Sequence, residues 1–117
     1  LGRFRVNIFY QRGNVALVMR YITSEMPDLD TIGMPPIIKD LVMFRRGLLL
    51  MVGATGSGKS TTLAGMINYR NEKTASHILT IEDPIEFVHS NKMSIVNQRE
   101  IGVDTHSYAR ALKSAMR

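Results

Sequence analysis

Eight residues near the middle of the chain, Gly53-Ala54-Thr55-Gly56-Ser57-Gly58-Lys59-Ser60, have the types and spacing of a phosphate-binding P-loop. A triphosphate has to be gripped by many donors packed into little space. Small residues let the backbone N–H groups from about Gly56 to Thr61 point inward, and the N-terminus of the following helix adds positive potential. Lys59 can neutralise β- and γ-phosphate charge, while the Ser60 hydroxyl is placed to ligate Mg²⁺. Gly53, Thr55, Gly56, Ser57, Gly58, Lys59, Ser60 and Thr61 are therefore the expected nucleotide-binding set, with ATP and Mg²⁺ as the cofactors.

Hydrolysis needs two further groups, an acid that holds the magnesium shell and a base that orients water. Glu82, Asp83 and Glu86 supply carboxylates 23 to 27 positions beyond Lys59. They close the apolar run Ile78-Leu79-Thr80-Ile81, and the C-terminal edge of a parallel sheet is where ligands bind. Two readings stay open. Residues 78–83 are a Walker B element in their own right, or they are an auxiliary acidic box with the Walker B strand further along. No later apolar run before Arg117 ends in Asp or Glu, so the second reading requires a longer chain.

The elements that position these groups can be read from periodicity. Arg3 to Arg12 alternates, Arg12-Gly13-Asn14 signals a turn, and Val15 to Ile22 reads as a second strand, so a hairpin is predicted. Such a pair is marginal alone and has to pack on other material. Thr23 to Pro36 collects three of the four prolines and reads as a linker. Pro36 opens a short amphipathic helix through Phe44, with Arg45 and Arg46 at its C-terminal end and Gly47 as terminator. Leu48 to Val52 reads as a strand buried on both faces. A helix is expected from Lys59 to Tyr69, a polar turn over Asn71–Ser76, then strands near 78–81 and 93–98. Asp104 or Thr105 is expected to cap a last helix whose Tyr108, Leu112, Ala115 and Met116 share a face. Strand, loop, helix, strand is the signature of α/β architecture with a parallel sheet.

Composition narrows the class without choosing the function. The chain has 117 residues, 44% hydrophobic and 21% charged, an ordinary balance for a globular chain. It has no cysteine, which excludes disulfides and Cys-ligated metals within it. Its longest apolar run is too short to span a bilayer. A net charge of +5 suits a phosphate-bearing partner. The absence of an initiating Met and the stop inside a helical pattern read as a fragment. His77, His89 and His106 lack metal-ligand spacing. Arg110, Lys113 and Arg117 form a basic stripe, read as a solvated face.

With these residues in view, the sequence resembles the type II/IV secretion-motor ATPases of bacteria. Within them it is similar to the twitching-motility type IV pilus retraction ATPases (the PilT/PilU class), nearer the PilU branch. The resemblance rests on Arg3-Phe4-Arg5-Val6-Asn7, on Gly47 through Thr62, on His77 through Glu86, and on Asn97-Gln98-Arg99-Glu100. Residues 53–56 and 65–71 carry the PilU-like character.

This resemblance implies a P-loop NTPase with a RecA-like core, of which residues 36–117 are the N-terminal part. Residues 1–22 would be the end of a PAS-like domain and 23–35 the linker. It implies Mg-dependent ATP hydrolysis by a hexameric hydrolase that removes pilin subunits, with assembly, type II secretion or a non-hydrolysing accessory role as alternatives. Implied partners are copies of itself, inner-membrane pilus machinery and a paralogous motor ATPase, not nucleic acid, at the cytoplasmic face of the inner membrane. Lys59, Glu82, Asp83 and Glu86 would be its catalytic residues, Glu82 and Ser60 meeting Mg²⁺, with Glu82, Asp83, Pro84 and Glu86 matching the family's aspartate box. Arg3, Arg5 and Arg20 match places where arginines reach the triphosphate as sensors or fingers. The family's Walker B glutamate would fall beyond residue 117.

Overall fold

Strict alternation produces the first unit. In the computed structural model, which describes residues 2–22 and 25–117, β1 (Arg3–Gln11) and β2 (Asn14–Ile22) pair antiparallel from Arg3↔Ile22 to Gln11↔Asn14. The two-residue turn has φ 48° at Arg12 and 76° at Gly13, the paired positive values of a type I′ turn, whose twist matches that of the strands. The register sorts the side chains. Phe4, Val6, Ile8 and Tyr10 share one face with Tyr21, Met19, Leu17 and Val15, and all eight are exposed. Phe4 and Tyr21 meet edge to face, ring centroids 5.3 Å apart. The hairpin packs chiefly on itself, and it contributes to a radius of gyration of 16.4 Å. A compact chain of this length would have about 13 Å.

Of the proline-rich stretch, Thr23 and Ser24 lie outside the described residues. Its later part is packed. Asp28 Oδ1 accepts from the N–H groups of Asp30 and Thr31 at 2.9 and 3.0 Å, and these bonds hold its carboxyl below the ordinary range. The turn delivers Leu29, 2% exposed, onto Gly65, where an added Cβ would lie 3.0 Å from Leu29 Cδ2 and 3.3 Å from Pro27 O. Lys39 then bridges to Asp30 at 2.6 Å and lies 5.6 Å from the centre of the Tyr69 ring.

Helix α1 (Ile37–Met43) starts after Pro36 as expected but ends early, its C-cap Phe44 already extended. Arg45 and Arg46 are thus outside the helix. The cation at its C-terminus comes from elsewhere: Arg70 Nη1 donates to Val42 O at 2.6 Å and Phe44 O at 3.3 Å. Residues 48–52 correct the expectation of a buried strand. They pair with nothing among the described residues, and Leu48 and Val52 are 82% and 90% exposed. A central parallel strand needs a neighbour on each side. The two strands on the C-terminal side of the P-loop pair with each other instead.

Helix α2 (Lys59–Lys73) begins on Gly58, which is left-handed at φ 86°, and runs one turn past the expected end. Asn71 therefore belongs to the helix, not to a turn. Its buried side chain explains the extension: Nδ2 donates to Ser90 O at 2.7 Å, and Oδ1 accepts from Lys92 N at 3.1 Å and Ser94 N at 3.3 Å. The last turn of α2 is thereby tied to residues 90–94, which lead into the last strand of the chain. Strand β3 (His77–Glu82) pairs in parallel with β4 (Ile95–Glu100), placing Thr80 opposite Gln98 and Glu82 opposite Glu100.

Helix α3 (Tyr108–Ala115) is capped by Ser107, whose Oγ accepts from Arg110 N at 3.3 Å, rather than by Asp104 or Thr105. Asp104 is engaged elsewhere, its Oδ2 accepting from Glu100 N at 2.8 Å. The expected apolar face is mostly open, with only Ala111 buried in the helix. The result is the expected α/β class, P-loop and parallel pair included. Among the described residues no helix is long and apolar enough to cross a membrane.

Candidate functional site

The loop before α2 has the local shape an anion cradle needs. Gly56 and Gly58 have φ of 79° and 86°, and Ser57 N bonds back to Ala54 O at 3.3 Å. Gly53 packs closely beneath Ser57, and a Cβ there would lie 2.7 Å from Ser57 Oγ, so the hydroxyl would have to move. Lys59 folds over the loop, Nζ donating to Gly53 O at 2.9 Å and Ala54 O at 2.7 Å. These bonds hold the ammonium at the loop rather than free on a mobile stem.

Ser60, the next residue, opens onto a cleft of about 490 Å³. Its walls come from α2, from the C-terminal part of β3, from the segment after it and from the start of α3, and they include Glu82, Asp83, Glu86, His89 and Tyr108. Folding thus brings Ser60 and the three expected carboxylates to one cavity. Their surroundings differ. Asp83 and Glu86 are exposed, Asp83 preceding a cis peptide to Pro84, whereas Glu82 is half-buried and held on one oxygen. Its Oε1 accepts from Thr80 Oγ1 at 2.6 Å and from Gln98 Nε2 at 2.9 Å. No other protein donor reaches its second oxygen among the described residues.

The segment linking β3 to β4 has no regular structure and is held by side chains. Ile85 N donates to Glu100 Oε2 at 3.1 Å, Gln98 Nε2 to Phe87 O at 2.8 Å, and His89 N to Gln98 Oε1 at 2.7 Å. His89 itself is half-buried in the cleft wall, and its buried Nδ1 has no partner among the described residues. Burial holds its imidazole below the ordinary 6.5, against the charge of Glu82 and together with that of Lys92. His77 pairs across to the neighbouring strand, Nε2 lying 2.7 Å from Asn97 Oδ1.

The oxygen donors gathered here, the Ser60 hydroxyl and the Glu82 carboxylate, are hard ligands of the kind Mg²⁺ takes alongside phosphate and water. The cradle and its lysine fit a polyphosphate. Arg3, Arg5 and Arg20 lie apart, on the hairpin, where Arg5 faces Arg20 across the two strands, and none of them lines the cleft. Sequence reasoning missed Thr80, Gln98 and Tyr108. A polar residue two positions before Glu82 signals the same strand face, but only the β3–β4 register places Gln98 beside it.

The comparisons agree with this geometry. Over 117 residues the chain is 51% identical to the type IV pilus ATPase PilU of Pseudomonas aeruginosa, covering all of this chain and 31% of that protein. It is 50% identical to the type IV pilus retractation ATPase PilT of the same organism, again over the whole chain and 34% of the relative. A crystal structure of the pilus retraction motor PilT with bound ADP superimposes with a TM-score of 0.97 at 53% identity, covering 100% of this chain and 34% of that one. The chain therefore spans about a third of the length of the relatives it matches. The family description "Type II/IV secretion system protein" matches residues 2–117. A P-loop helix and an acidic strand end meeting at one cleft thus occur here in a member of the type II/IV secretion system protein family.

Proposed function

We propose that this chain is the ATP-binding part of a hexameric motor ATPase that drives type IV pilus retraction. The observation that carries the proposal is the shared cleft, where Ser60 at the start of the P-loop helix meets Glu82, Asp83 and Glu86. The likeness to a PilT structure holding ADP supports the nucleotide. In this reading the backbone N–H groups from about Gly56 to Thr61 wrap the phosphates, and Lys59 offsets β- and γ-phosphate charge. Bound Mg²⁺ would neutralise charge developing on the transferring phosphoryl group. Ser60 and Glu82 would hold it, and Asp83 and Glu86 would orient water at the exposed rim.

The domain division accords with the same reading: residues 1–22 end a PAS-like domain, 23–35 link, and 36–117 begin a RecA-like core. Arg3, Arg5 and Arg20 would serve as sensors only where the hairpin meets a triphosphate in the assembled ring. The motor would work at the cytoplasmic face of the inner membrane with the pilus machinery. The test is ATP turnover and nucleotide binding by the full-length protein, wild type against Lys59→Ala. Turnover is expected to fall to background with weaker binding, and equal rates would refute the P-loop mechanism.

A further inference from the structure

Gln98 uses its whole amide to join three groups beside the cleft. Its amide nitrogen donates both hydrogens, one to Glu82 Oε1 at 2.9 Å and one to Phe87 O at 2.8 Å. Its amide oxygen accepts from His89 N at 2.7 Å. These three partners agree on one orientation, because a flipped amide would set its oxygen against two acceptors and its NH₂ against a donor. The residue is half-buried on the inner edge of β4, directly opposite Thr80 in the parallel register.

Two structures therefore depend on one side chain. The first is the Glu82 carboxylate, whose Oε1 is taken by Gln98 and by Thr80, leaving Oε2 as the oxygen available to the cleft. The second is the segment after Pro84, which carries Glu86 and His89 and is gripped at residues 87 and 89. We infer that Gln98 is a positioning residue for ATP hydrolysis, fixing the rotamer of Glu82 and its distance from the segment carrying Glu86. This rests on the reading of Glu82 proposed above. Gln98 does not line the cleft, so it acts through Glu82 and not on nucleotide. Misplacing a catalytic group by about 1 Å costs large factors in rate, whereas the phosphates are gripped mainly by the P-loop, which Gln98 does not touch.

The experiment uses the full-length protein and steady-state ATP turnover, with a fluorescent ADP analogue to measure nucleotide affinity. Gln98→Ala is expected to lower kcat by about tenfold or more while KM and nucleotide affinity stay within about twofold. Gln98→Glu keeps the side-chain volume and an acceptor for His89 N but loses the donor to Glu82, so it is expected to be at least as slow. In a Glu82→Gln background, Gln98→Ala is expected to cost less than about twofold more, since its effect passes through Glu82. A loss that multiplies undiminished in that background, or one that falls equally on nucleotide affinity, would overturn the proposal. So would wild-type turnover by both Gln98 variants while Glu82→Gln is slow. Wild-type turnover by Glu82→Gln would instead remove the role of Glu82, and this inference with it.

Discussion

Replacing Gly53 by alanine brings a new Cβ to 2.7 Å from Ser57 Oγ, well inside contact distance, with Ser57 Cβ at a comfortable 3.5 Å. Only the hydroxyl is in the way. The loop can respond by turning Ser57 off its rotamer, at a cost of about 0.5–1.5 kcal/mol, or by shifting its backbone N–H groups from the phosphates. A turned Ser57 costs stability with or without nucleotide, whereas displaced N–H groups weaken binding, and 1 kcal/mol corresponds to about fivefold in affinity. With the loop displaced at a cost of about 1 kcal/mol to its phosphate contacts, Gly53→Ala is expected to bind about fivefold more weakly. Ser57→Ala removes the obstructing atom, so the double variant Gly53→Ala/Ser57→Ala should bind within about twofold of Ser57→Ala alone. The coupling is read from a four-point cycle of nucleotide affinities on the full-length protein, by calorimetry or fluorescent-nucleotide titration. Unchanged affinity in Gly53→Ala, or equal weakness of the double variant, would show that steric closeness to Ser57 is not why glycine stands at position 53.

Asn71→Ala removes three bonds that tie α2 to residues 90–94. At about 1 kcal/mol each, and with water recovering part of the loss at exposed Ser90 and Lys92, about 2 kcal/mol of stability should go, visible in urea denaturation and in faster exchange of the Ser94 amide. Arg70→Met strips the donor from the carbonyls of Val42 and Phe44 and should destabilise by about 1–2 kcal/mol, with hydrogen exchange rising in α1 before the rest. Glu72 is bridged to Lys92 at 2.6 Å, and the bond from Lys92 holds its carboxyl below the usual 4.5. A lowered carboxyl stabilises above its unfolded value and loses that contribution as pH falls through the folded one. Glu72→Gln should thus cost less than about 1 kcal/mol at pH 7, the pair being largely exposed, and the gap from wild type should close as pH drops below 4.5.

How much was legible in advance differs from element to element. The P-loop was readable because its chemistry is local: positive φ at Gly56 and Gly58, and a lysine one residue into the helix, are set by consecutive residues. The hairpin was readable because alternation and a turn dipeptide are local as well. Errors came where a distant partner decides. Asn71 looks like a turn residue until its side chain finds Ser90, Lys92 and Ser94. Arg45 and Arg46 look like the cations for α1 until Arg70 takes that place from another helix. Leu48–Val52 looks like a buried strand, but burial needs neighbours that the described residues do not supply.

The same division holds at the site. Sequence alone determined that a P-loop is present and that three carboxylates gather at the end of a strand, since both are matters of residue type and spacing along the chain. Only the tertiary structure decided that Ser60 shares a cleft with those carboxylates, that Arg3, Arg5 and Arg20 do not, and that Gln98 grips Glu82. The physical reason is register. Two parallel strands can slide by two residues without changing which faces are apolar, and only packing fixes the alignment that sets Thr80 against Gln98.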